Sequence, residues 1–143
     1  LSAPGNPARP DVSGATIMSK RALLAADPGV PHKMISRTLE REGFDVTLVE
    51  DGKLAADTSL CGEFKLLVTG VNLPNLDGLD LVRQMRKNPN YSNMPIVAVT
   101  TEDDQYLKMP AKAAGVTDWM IGPLDEDDFG RSIGKVCRSA GIA

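Results

Sequence analysis

From Arg21 onward, short apolar runs alternate with stretches whose apolar residues recur at helical spacing. Ala22-Leu23-Leu24-Ala25-Ala26 is the first run, and Asp27-Pro28-Gly29 behind it is a turn signal. Pro31 suits a first helical position. Met34, Ile35, Thr38 and Leu39 then fall on one face, and Gly43 supplies a stop. Residues 46–49 predict a second strand closed by Asp51-Gly52, and a weak helix covers about 53–59. Residues 64–69 read as the third strand, with a loop over 70–76. Asp77 can cap a helix in which Leu79, Val82 and Met85 share a face, and Asn88-Pro89 ends it. Residues 96–99 are apolar throughout, as a strand buried on both faces should be. A helical segment then runs to Ala114, with Gly115 as its stop, and 119–121 form a fifth strand. Asp125 caps a last helix with Phe129, Ile133, Val136 and Cys137 on one side.

Five strands alternating with five helices predict an α/β fold, a three-layer sandwich of a parallel sheet between helices. In such sheets the working crevice lies beyond the carboxyl ends of the strands. That singles out Asp27, Gly70, Thr100 with Thr101, and Gly122.

The 143 residues fit one domain. Residues 1–19 carry three prolines and two glycines without an apolar period, and read as a linker, a tail or an expression remnant. The folded domain is expected over 20–143. The chain is 42% hydrophobic and 24% charged, which excludes a wholly disordered protein. Its net charge of -3 lacks the basic footprint of a nucleic-acid binder. No apolar run is long enough to span a membrane and no secretory leader is visible, so a cytoplasmic protein is expected. Cys61 and Cys137 show no metal or redox spacing and read as reduced, mostly packed thiols. The single histidine, His32, excludes a two-histidine metal site and reads as solvated at a helix start. Asn90-Tyr91-Ser92 matches a glycosylation sequon by chance.

The strand ends resemble the receiver domain of two-component response regulators over about residues 20–139. Three segments carry the likeness. They are Leu67-Val68-Thr69-Gly70-Val71-Asn72-Leu73-Pro74-Asn75-Leu76-Asp77-Gly78-Leu79, then Val99-Thr100-Thr101-Glu102, then the stretch from Ala114 to Leu124 with Gly122-Pro123. The resemblance implies a flavodoxin-like sheet of order 2-1-3-4-5 with five flanking helices. It also implies a phosphoacceptor aspartate after the third strand, a backbone metal ligand at Asn72, a switch hydroxyl at Thr100 and a lysine before Pro123. Here the phosphoacceptor position falls on Gly70, the lysine on Gly122, and the usual acidic pair is Ala26-Asp27.

Each departure has a chemical consequence. Gly70 offers no nucleophilic oxygen. Asp27 with the Asn72 carbonyl is a poor cage for Mg²⁺. Gly122 cannot balance developing phosphoryl charge. The expectation is an atypical, degenerate pseudo-receiver that is not phosphorylated, holds no metal or cofactor and is not an enzyme. Asp27 is expected to bond the loop around Gly29 and Val30. Asp77 reads as a cap, and Thr69 and Thr101 as weak nucleophiles without a base.

Such a domain would act as a protein-interaction module in a phosphorelay. Its partners would be a histidine kinase, a phosphotransfer protein or an adjacent domain, and a homodimer stays open. The resemblance points to the face of the fourth helix, fifth strand and fifth helix, with Tyr106 and Trp119 on it. Trp119 reads equally well as a core-edge aromatic. Gly130 and Gly134 lie four apart and suit either close packing of a partner helix or a marginal terminal helix. Pro110 breaks the fourth helix, so 103–109 should be irregular or a short turn, with a stub from about Pro110. Gly122-Pro123 is expected to be cis. The sequence stops soon after the fifth helix, so no output domain is expected. Its Pro-rich head also fits a receiver segment of a hybrid sensor histidine kinase or larger response regulator. A small-ligand sensor using a vacated pocket at Gly70, and an active phosphoacceptor on another residue, are the remaining alternatives.

Overall fold

The computed structural model describes residues 20–142. The reading of residues 1–19 lies outside them. The strands are β1 (Lys20–Ala25), β2 (Phe44–Val49), β3 (Leu66–Thr69), β4 (Ile96–Thr100) and β5 (Asp118–Ile121). The helices are α1 (His32–Arg41), α2 (Gly52–Leu60), α3 (Gly78–Lys87), α4 (Lys108–Ala114) and α5 (Glu126–Ser139). All strand pairs are parallel, in the order β2-β1-β3-β4-β5. The fold class and strand order expected from the sequence are observed.

The two sides of the sheet follow from the period-two alternation of strand side chains. Ala22 and Leu24 of β1, Leu66 and Val68 of β3, and Val97 and Val99 of β4 face one core with Ile35 and Leu39 of α1 and Phe129 and Ile133 of α5. Leu23 and Ala25, Leu67 and Ile96 face the other, with Ala55 of α2, Leu81, Val82 and Met85 of α3, and Ala114 of α4. A central strand that must satisfy both cores is buried at every position, as β4 is, and its side chains are apolar from Ile96 to Val99.

The predicted caps are present. The Asp77 carboxylate accepts from the Asp80 amide at 2.9 Å, and that of Asp125 from the Asp127 amide at 3.0 Å. Pro31 sits one residue outside α1, at its N-cap. Gly43 and Gly115 end α1 and α4 at φ of 93° and 114°, a conformation that a Cβ disfavours.

The fourth helix is interrupted as the sequence predicts. A 3₁₀ segment spans Glu102–Leu107, and α4 follows. The helical stub begins two residues before the expected Pro110. Pro110 is its third residue, where the amide that proline lacks would have no intrahelical acceptor. One other expectation is corrected. Cys61 is exposed rather than packed. At Gly130 a Cβ would meet Thr38 Cγ2 of α1 at 3.6 Å, an ordinary contact within the domain. Cys137 is buried, and desolvation first of all raises its thiol pKa.

Candidate functional site

The carboxyl ends of β1, β3 and β4 converge on one small cleft of about 230 Å³. Asp27, Asn72, Thr100, Thr101 and Asp104 are among its lining residues. Its geometry begins with Asp27, which follows β1 and is 9% exposed. The Gly29 amide donates to Asp27 Oδ1 at 2.7 Å, and the Val30 amide to the Asp27 carbonyl at 3.0 Å. This is an Asx turn, for which an aspartate at a strand end is well suited. The other oxygen, Oδ2, reaches across to β3 and accepts from the Asn72 amide at 3.0 Å.

The carboxylate therefore lies directly beside Gly70. A Cβ on Gly70 would stand 2.4 Å from Asp27 Oδ2 and 2.8 Å from Val30 Cγ2. The position expected to be vacated is filled by another part of the chain. A buried carboxylate left facing an empty pocket would be costly, and two backbone N–H donors give it charge-assisted hydrogen bonds. The expected bond to the loop at Gly29 is present; the bond to Asn72 has no local sequence signal.

The loop after Gly70 is held from two sides. The Asn72 side chain donates to Asp104 Oδ2 at 2.8 Å, tying it to the 3₁₀ segment. Further along, Asn75 adopts φ 70° and its amide bonds Asp51, the cap of α2. The bonds from the Leu54 amide and then Asn75 hold the Asp51 carboxyl below its ordinary pKa. Two glycines, Gly52 and Gly78, allow this loop to pack. A Cβ on Gly52 would lie 1.7 Å from the Leu76 carbonyl oxygen, and one on Gly78 1.9 Å from that of Gly70.

Thr100 is buried and its Oγ1 has no hydrogen-bond partner, whereas Thr101 is exposed. Thr69 donates to the Gly70 carbonyl at 2.8 Å. Gly122 donates its amide to the Thr100 carbonyl at 2.6 Å and is joined to Pro123 by a cis peptide bond. Neither Gly122 nor Pro123 lines the cleft. Trp119 of β5 is half-buried and packs against the cluster of Val71, Leu79 and Ala111. Tyr106 is 72% exposed. A Cβ on Gly134 would meet only the guanidinium of Arg138.

The donor set does not fit a magnesium ion. Such an ion prefers near-octahedral oxygen ligands from carboxylates and phosphate. Both oxygens of Asp27 are turned to backbone amides, and Gly70 supplies none. Among the described residues no group of three His, Cys, Asp or Glu side chains is arranged to hold a metal ion. Also among them, no helix is long and apolar enough to cross a membrane.

A model of the response regulator receiver domain matches residues 23–133. The chain is 30% identical over 109 residues to Response regulator ArlR of Staphylococcus saprophyticus, covering 76% of this chain and 48% of ArlR. It is 35% identical over 106 residues to a Chemotaxis protein CheY homolog of Campylobacter jejuni, covering 73% of this chain and 82% of that protein. The chain thus spans about half the length of the first relative and most of the second. Among solved structures, the receiver domain of sensor histidine kinase PA1611 from Pseudomonas aeruginosa superposes with a TM-score of 0.73 at 27% identity, covering 87% of this chain and 99% of that one. That structure holds a magnesium ion in its active-site cleft. Chemotaxis response regulator CheY4 of Vibrio cholerae gives a TM-score of 0.73 at 26% identity, covering 83% and 99%.

Proposed function

The chain belongs to the response regulator receiver domain family, and from that premise we propose that this domain signals without being phosphorylated. It is an atypical receiver that acts as a protein-interaction module in two-component signalling. The carrying observation is at the end of β3. Gly70 presents no side chain there, and the Asp27 carboxylate, already engaged by two amides, lies where a Gly70 side chain would begin. Phosphoryl transfer needs an attacking oxygen in line with the donor, and Gly70 supplies none. The glycine at 122 adds no cation to stabilise a transferring group.

The partner is a histidine kinase, a phosphotransfer protein or a neighbouring domain. The face that would receive it has exposed apolar side chains on consecutive elements. Tyr106 of the 3₁₀ segment is 72% exposed, Met109 of α4 74%, and Ile121 of β5 37%. Large exposed side chains of this kind mark interaction surfaces when they share a face.

The test is incubation of the purified chain with acetyl phosphate and Mg²⁺, then intact mass measurement. No adduct is expected under conditions that fully phosphorylate a receiver carrying the acceptor aspartate. A stable phosphoryl adduct on the wild-type chain overturns the proposal. For the interaction face, Tyr106→Ser with Met109→Ser should leave the melting temperature unchanged and weaken binding to the cognate kinase or phosphotransfer protein.

A further inference from the structure

We propose, building on the phosphorylation-independent reading, that the ends of β1 and β3 form a carboxylate-binding pocket whose resident ligand is the chain's own Asp27 side chain. Two amides from different loops, those of Gly29 and Asn72, converge on the two oxygens of one carboxylate, at 2.7 and 3.0 Å. Asn72 lies 45 residues from Asp27 in sequence, so the pocket is a tertiary feature and not a local turn alone. The missing Cβ of Gly70 gives the carboxylate its room. A third polar group, the Thr100 hydroxyl, is buried beside the same cleft with no partner of its own.

This arrangement has two consequences. While Asp27 is in place, the amide donors are saturated and a negative charge already occupies the pocket. A free carboxylate or phosphate is thereby excluded by sterics and by repulsion. When the Asp27 side chain is shortened, two amide donors face an unfilled hole, and small planar carboxylates match the group that was removed. Formate is the smallest of these.

The experiment follows thermal melting of the full chain in sodium formate against sodium chloride of equal ionic strength. The wild-type chain should show no formate-specific change. Asp27→Ala should melt lower, and formate at a few times its dissociation constant should raise its melting temperature by about 2–4 °C. An equal formate effect on both proteins, or none on a folded Asp27→Ala chain, overturns the proposal. If Asp27→Ala does not fold, Asp27→Asn replaces it and amide proton shifts are read. The Gly29 and Asn72 resonances should both move upfield, because one amide then faces a neutral carbonyl oxygen, a weaker acceptor than a carboxylate, and the other an NH₂ group. Resonances that stay in place also overturn it. The two readings fail separately. A phosphoryl adduct on the wild-type chain defeats phosphorylation independence, whereas missing formate rescue without an adduct defeats only the pocket.

Discussion

Two strand ends, those of β3 and β5, carry glycine where the family resemblance implies a functional side chain, and their surroundings are unlike. At Gly70 a Cβ would collide with Asp27 Oδ2 at 2.4 Å and Val30 Cγ2 at 2.8 Å. At Gly122 the nearest atoms would be the Thr100 carbonyl oxygen at 3.4 Å and the Leu124 nitrogen at 3.8 Å. The first glycine is thus crowded by the side chains beside it, while the second leaves room for a small side chain. Loss of a side chain from a site has two structural outcomes. A neighbour takes over the space, or the space remains open.

The contrast can be broken most forcefully by Gly70→Asp. The new carboxylate would have to displace that of Asp27 or share its place with a like charge, and a loss of about 3 kcal/mol is expected in urea denaturation. Gly70→Ala should lose about 1–3 kcal/mol by overpacking alone. Repeating it in an Asp27→Ala background should recover about 1 kcal/mol of that loss as coupling, since the main clash is gone while the one with Val30 remains. If the two substitutions are strictly additive, Asp27 is not what makes Gly70 necessary. Asp27→Asn should cost about 1–2 kcal/mol, because one of the two amide donors then faces an NH₂ group. Gly122→Ala should stay within about 0.5 kcal/mol of wild type, and a larger loss would show that the β5 end is as tightly filled as the β3 end.

Much of this architecture is legible in the chain. The strands of both cores show as apolar runs, and Asp77 and Asp125 sit where helices begin. Pro110 announced the interrupted fourth helix, although not that α4 would start early enough to hold the proline in its first turn. The candidate site was only half legible. Its residues could be placed at strand ends, but the cleft was read as vacated, and Asp104 was absent from that reading. Gly52 and Gly78 gave no local sign that carbonyl oxygens approach within 2 Å of their missing Cβ positions. Arg86 was likewise missed. It bonds the Gly115 carbonyl at 2.7 and 3.0 Å from α3, and its partial burial lowers its pKa.

The order of elements, the two-sided sheet and the missing acceptor at position 70 were written in the linear pattern. Helical and strand periods are local, and a residue's chemistry is known from its identity. What became of the space at Gly70 was decided only when β1 and β3 paired. That pairing brought the Asp27 carboxylate within reach of an amide 45 residues away. Hydrogen bonding and packing act over a few ångströms in space, and no distance along the chain reports which side chain will be within that range.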